Sequence, residues 1–188
     1  MVCPLPRRAK TRPAAREPRR PSRSPAAEIE AMALAKVHTQ AARCAERVRI
    51  LPHYAAHAWL LPLNRRELAL ALRIMLRALA DAESGAPDSV ELHLLDDAAV
   101  SAANRRFMNC MGPTNVLSFP GGEDLPGILL LSLDTLAREG LLYGQEPAEH
   151  ALRLLAHGMG HLAGLDHGPA MDRVCAACFD AARQALRV

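Results

Sequence analysis

The sequence predicts an α+β domain, a small mixed four-stranded sheet packed with about five helices, and three observations carry that prediction. Short apolar or alternating runs are interspersed irregularly with longer stretches of helical periodicity, as in a sheet covered by helices. Half of the residues are hydrophobic but only 3% are aromatic, so the core is built from Leu, Ala, Val and Ile. A length of 188 residues suits one compact domain plus additional sequence.

The elements follow in order. VRILP (48–52) is a short apolar run suited to a first strand. Residues 64–83 place Leu68, Leu70, Leu72, Ile74, Leu76 and Leu79 among charges at roughly helical spacing, and SGAPDS ends that helix with turn residues. VELHLLDD (90–97) alternates Val90, Leu92 and Leu94 with Glu91 and His93, the pattern of a half-buried strand with His93 facing outward. AAVSAANRRFM (98–108) reads as an Ala-rich helix broken by NCMGP. TNVLSFP (114–120) is a strand closed by Pro120 and the Gly121-Gly122 turn, and GILLLS (127–132) is the continuous apolar run of a strand covered on both faces. LDTLAREGL forms a short helix. Residues 147–164 form another, with Pro147 in its first turn and Gly164 as its C-terminal left-handed residue. A last helix runs from about Pro169 to Leu186. No repeat is visible, and the order is not that of a regular βαβ array.

Charge is unevenly distributed. Residues 1–25 carry eight basic residues against Glu17, so a formal total of +3 leaves the rest of the chain at −4. This Pro- and Arg-rich stretch lacks the large apolar side chains needed to order itself, so residues 1–45 are expected to be a poorly ordered basic tail ahead of a domain over 46–188. It reads either as a tail upstream of a functional start at Met32 or as an arm gripping RNA phosphates. No apolar run follows the arginines, as a secretory signal requires, and no window approaches a membrane span. Five cysteines (3, 44, 110, 175, 178) without a framework spacing suggest free thiols and a cytoplasmic setting. Cys175 and Cys178 form a CxxC inside an amphipathic helix, to be read as small apolar packing or as a second metal or redox site.

HGMGHLAGLDHG (157–168) concentrates three of the chain's eight histidines. His157 and His161, four apart, share one helix face, and Gly164 lets the chain turn so that His167 returns to the same point. Three imidazoles and a water make a tetrahedral zinc site with one open position, the arrangement of catalytic zinc. A histidine by itself is ordinarily a surface residue or a satisfied core group; this spacing is not. Glycine within a helix costs about 1 kcal/mol relative to alanine, so Gly158 and Gly160 imply close backbone approach to a strand, a ligand or the metal's surroundings. The spacing is also that of the metzincin peptidases, which place a glutamate base after the first histidine. Here that position is Gly158.

These residues resemble the YbeY family of bacterial zinc-dependent endoribonucleases. Its H-G-x-L-H-L-x-G-[YFL]-D-H is matched by His157, Gly158, His161, Leu162, Gly164, Asp166 and His167. Its P-T-D-V-L-S-F-P is matched by PTNVLSFP (113–120), its L-N-x-x-[FY]-R in part by Asn104 and Phe107, and its G-D-[IL]-x-[IL]-S by GILLLS, so that the resemblance spans about residues 46–186. It implies one zinc ion (Zn2+) per chain on His157, His161 and His167. It also implies cleavage of single-stranded RNA in 16S rRNA 3′-end maturation and ribosome quality control, with the small ribosomal subunit or its proteins as partners and no membrane. Three positions depart from the family pattern: Met108 stands for Arg, Asn115 for Asp and Ile128 for Asp. The Arg would hold a phosphate, and Arg105 or Arg106 could replace it, although an α-helix would point them elsewhere.

The expected chemistry is metal-assisted phosphodiester hydrolysis. Asp166 is expected either to orient an imidazole or to cap the final helix. Asn115 and Ser118 either donate to RNA or serve as ordinary polar groups of a strand and turn. Two competing functions remain: a non-catalytic ribosome-assembly module that keeps zinc for folding, and a metzincin-like peptidase.

Overall fold

A computed structural model describes residues 47–53, 60–83, 85–122 and 125–188. The basic tail and Met32 lie outside the described residues. Four strands, β1 (Val48–Pro52), β2 (Val90–Leu95), β3 (Val116–Phe119) and β4 (Gly127–Ser132), form one sheet in the order β1-β2-β4-β3. Among the described residues five α-helices accompany them: α1 (Arg65–Ala82), α2 (Asp97–Ala103), α3 (Leu133–Tyr143), α4 (Pro147–Leu162) and α5 (Pro169–Leu186). The α+β architecture and the mixed four-stranded sheet are therefore as expected.

β1, β2 and β4 are parallel, whereas β3 turns back antiparallel on β4 and occupies the edge. The link β1-α1-β2 is a single βαβ crossover, since parallel neighbours need a long connection and an amphipathic helix supplies one. β3 and β4 are close in sequence and can pair as a hairpin, which is why the array is not regular.

Local chemistry sets the helix ends. Asn64 caps α1 by accepting from the Arg66 and Glu67 amides while Glu67 reaches back to the Asn64 amide, a complete capping box. Ser132 caps α3 through the Thr135 amide, and Gly144 closes it at φ +59°, a left-handed conformation that glycine adopts freely. Leu68, Leu72, Met75 and Leu79 of α1 recur every three or four residues and are fully buried. They meet Leu92, Leu129 and Leu131 of the sheet and Leu152, Leu155 and Met159 of α4 in one continuous core.

Two elements differ from expectation. The strand 127–132 is sealed on one face only: Leu129 and Leu131 are fully buried toward α4, while Ile128 and Leu130 are half-buried on the other face. His93 shares that second face, where it is half-buried and its ring stacks on His53 at 5.1 Å between centroids. The Ala-rich helix does not continue as α over 98–108. α2 gives way to a π-turn at Asn104–Met108, where the Asn104 amide group donates to the Gly112 carbonyl at 2.9 Å and draws the chain back on itself.

α2 is tied to α3 through Asp97, whose carboxylate accepts from the Ser132 and Thr135 hydroxyls, both at 2.6 Å, and from Arg138 at 3.0 Å. Partial burial opposes ionisation of Asp97, but the two hydroxyls and Arg138 outweigh it, so the carboxyl titrates below its ordinary value of 3.8. A depressed folded value contributes stability that is present above the unfolded pKa and lost as the pH falls through the folded one. Asp97→Asn is expected to cost about 1 kcal/mol at about pH 7 in urea unfolding, with the gap to wild type narrowing at about pH 3. A gap independent of pH would remove the ionised carboxylate as its cause.

Candidate metal centre

α4 is the central helix, in contact with β3, β4, α1, α3 and α5. Its buried positions leave the stripe of Arg153, His157 and His161 to emerge from the core. Two glycines make the tight fit possible. A Cβ built on Gly158 falls 2.8 Å from Leu129 Cδ2, 3.2 Å from Ser118 Oγ and 3.3 Å from Val116 Cγ2. The helix backbone therefore lies directly on β3 and β4. A Cβ on Gly160 falls 3.2 Å from Met171 Cγ and 3.3 Å from Cys175 Sγ, so this turn is pressed against α5 as well.

α4 ends at Leu162, and Gly164, at φ +78°, lets the chain reverse while the Leu165 amide donates to the Gly160 carbonyl. His167 thereby comes back to the helix face. The ring centroids of His157, His161 and His167 lie 4.7, 5.0 and 5.2 Å apart pairwise, and their ligand nitrogens all fall within 4.8 Å of one another. Among the described residues no fourth His, Cys, Asp or Glu joins the group.

His161 Nδ1 donates to the Leu165 carbonyl at 3.0 Å, which leaves Nε2 as the free lone pair and fixes the ring. Burial lowers the pKa of His157, and the neighbouring His161 and His167 lower it further, so its imidazole favours the neutral, ligating form. Three imidazole nitrogens converging from a helix and its return turn suit a borderline-soft cation such as zinc.

The other residues named from the sequence are dispersed around this centre. Ser118 faces α4 at Gly158, on the same side of β3 as Val116. Asn115 is committed elsewhere: its amide group donates to Glu139 at 3.2 and 3.3 Å, and its Oδ1 accepts from the Val116 amide at 2.7 Å. Asp166 is exposed and makes no hydrogen bond to a described residue, and the cap of α5 is Gly168, without a side-chain cap bond. Capping by Asp166 is thus corrected: Pro169 opens the helix at its first position, so the residue that would cap it is the glycine before the proline. Met108 is exposed on the π-turn.

Sequence reasoning misses Glu139 and His150. His150 is buried and lies 3.1 Å from Glu139 through Nε2, so Glu139 gathers α3, α4 and the start of β3 into one polar junction. The spacing of His150 from His157, two helical turns on the same face, was the available signal. Cys175 and Cys178 are packing residues whose thiols point at the Ala156 and Met75 carbonyls, both at 3.6 Å. Burial, then the neighbouring Cys175, pushes the Cys178 thiol up to about 12.

Comparison with known proteins points in one direction. A family model described as Endoribonuclease YbeY matches residues 54–176. A protein of that name from Oleidesulfovibrio alaskensis is 44% identical over 136 residues, 59% of this chain and 78% of its own. One from Nitratidesulfovibrio vulgaris is 41% identical over 150 residues, covering 68% of this chain and 88% of its own. Among solved structures, TM1509 from Thermotoga maritima superposes with a TM-score of 0.52 at 21% identity, over 74% of this chain and 91% of that one, a likeness of fold.

Two outcomes check the packing described here. Gly158→Ala is expected to lower the unfolding free energy by about 1 kcal/mol in urea, although alanine is favoured by about 1 kcal/mol in an open helix; a gain in stability would mean that Leu129, Ser118 and Val116 give way freely. In alkylation by iodoacetamide followed by peptide mass spectrometry, exposed Cys110 should react well before buried Cys178. Equal rates would contradict the burial of Cys178.

Proposed function

Since the chain belongs to the YbeY family of endoribonucleases, we propose that it is a zinc-dependent enzyme cleaving single-stranded RNA, acting in the cytoplasm in 16S rRNA 3′-end maturation and ribosome quality control. The observation that carries the reading is the convergence of His157, His161 and His167 with no fourth protein ligand among the described residues. A structural zinc site closes its coordination with protein, whereas a hydrolytic one leaves a vertex for water. Zinc held there supplies Lewis acidity and lowers the pKa of its water to about 7.

The chain's own residues do the holding and the excluding. His161 is aimed by the Leu165 carbonyl, and His157 is kept neutral by burial and by its neighbours. Asp166, beside His167 in the sequence and without a hydrogen-bond partner among the described residues, is available to orient that ring or to receive a proton. Ser118, on the strand against which α4 rests, would donate to a phosphate oxygen. Asn115 serves the same substrate indirectly, by fixing the entry to β3 through Glu139.

The ribosomal setting rests on the paired motifs, HGMGHLAGLDH and PTNVLSFP, and the partners are the small ribosomal subunit or its proteins. Among the described residues no helix is long and apolar enough to cross a membrane. A metzincin-like peptidase is disfavoured, because a glutamate at 158 would drive its side chain into Leu129, Val116 and Ser118.

The test uses the full-length protein, produced without an affinity tag, its metal content measured, and a single-stranded RNA spanning the 16S 3′ end. Cleavage should fall at least about a hundredfold on chelation and in His161→Ala, and return to the chelated wild type on adding zinc. A folded, zinc-loaded protein that leaves the RNA intact would instead support the assembly module. Cleavage indifferent to chelation would remove the histidines from the chemistry.

A further inference from the structure

The chain has only three phenylalanines, and two of them meet at the edge of the sheet. Phe107 packs edge-to-face on Phe119, with centroids 5.2 Å apart and planes at 73°, yet it remains 59% exposed. The third, Phe179, lies half-buried against the core under Arg153. An exposed aromatic ring in so aromatic-poor a chain adds little to folding, and it is held rather than loose.

The holding comes from the π-turn. Asn104, buried, donates to the Gly112 carbonyl at 2.9 Å, the Cys110 amide donates to the Asn104 carbonyl, and Asn109 takes a left-handed conformation at φ +53°. The segment 104–112 is thus closed on itself, and every side chain from Arg105 to Met111 is exposed. Arg106 lays its guanidinium over the Phe107 ring, with its carbon 5.2 Å from the centroid. A held, exposed aromatic ring with one guanidinium over it has the composition of a stacking surface for an unpaired base: the base stacks on the ring opposite that guanidinium or in its place, and the arginines of the turn meet the flanking phosphates.

The position fits a substrate path. On β3, Ser118 faces α4 at Gly158, the residue after His157, and the next residue, Phe119, emerges on the opposite face of the strand to support Phe107. β3 is the sheet edge, so a strand of RNA can pass round it from one side to the other.

We propose that Phe107, backed by Phe119 and with Arg106 over its ring, is a base-stacking platform that grips a nucleotide of the same single-stranded RNA that is presented to the three histidines. The proposal rests on the endoribonuclease reading and assigns it a substrate contact on this chain's own π-turn. Duplex RNA, whose bases are already stacked, gains nothing from this surface, so the platform selects for single strands.

The experiment measures RNA binding without cleavage, by anisotropy of a labelled single-stranded oligonucleotide on full-length protein carrying His161→Ala, with circular dichroism confirming the fold of each variant. Adding Phe107→Ala should weaken binding about tenfold, and Phe107→Trp should restore it. Arg106→Ala should reduce the salt dependence of binding by about one charge. An oligonucleotide carrying 2-aminopurine should be quenched on the Phe107 protein and not on Phe107→Ala. Affinity and quenching unchanged in folded Phe107→Ala, with wild type still cutting RNA, would overturn the platform alone. No binding or cleavage of single-stranded RNA by the zinc-loaded wild type would overturn both the platform and the endoribonuclease reading.

Discussion

The structure turns on one contact without a side chain: the backbone of α4 at Gly158 lying against Leu129, Val116 and Ser118. Any larger residue would hold the helix off the sheet. With glycine there, α4 sits deep among β3, β4, α1, α3 and α5, and beyond its first turn only Arg153, His157 and His161 emerge. The same closeness brings the first ligand beside the edge strand that carries Ser118. It also removes the space in which a metzincin keeps its glutamate, so packing and chemistry are decided by one absent methyl group. Interiors are dense enough for so small a volume to matter.

Around this contact the polar groups divide into those that build and those that remain available. Glu139 binds Asn115 and His150, joining the start of β3 to α3 and α4. Asp97 does the equivalent for α2. Buried hydrogen bonds of this kind contribute modestly when made and cost much more when one partner is removed, so they specify a single arrangement of elements. Asp166 and the side chains of the π-turn are exposed and, among the described residues, Asp166 has no such partner.

Much of this was legible from the chain. Apolar spacing located α1, α4 and α5, because each buries one broad stripe whose period survives in the sequence. The imidazole trio was legible for the same reason: two ligands one turn apart, then a glycine that permits reversal. What escaped depends on contacts distant in sequence. The π-turn arises because Asn104 reaches Gly112, and an Ala-rich run carries no amphipathic signal to mark where a helix changes pitch. The one-sided burial of β4 reflects which face the helices choose, since an apolar run looks alike whether one or both sides are sealed. Glu139 and His150 stand on different helices and become neighbours only once those helices pack.

The hydrogen bond from His161 to the Leu165 carbonyl has a wider consequence. The group aiming this histidine belongs to the main chain, so the bond itself does not use the side chain of Leu165, which packs against the core instead. The bond's integrity depends on the last turn of α4 staying wound. A cation held by the three histidines would therefore report on helix fraying: each transient opening of that turn, as seen by amide hydrogen exchange, would also be a moment for the ion to escape.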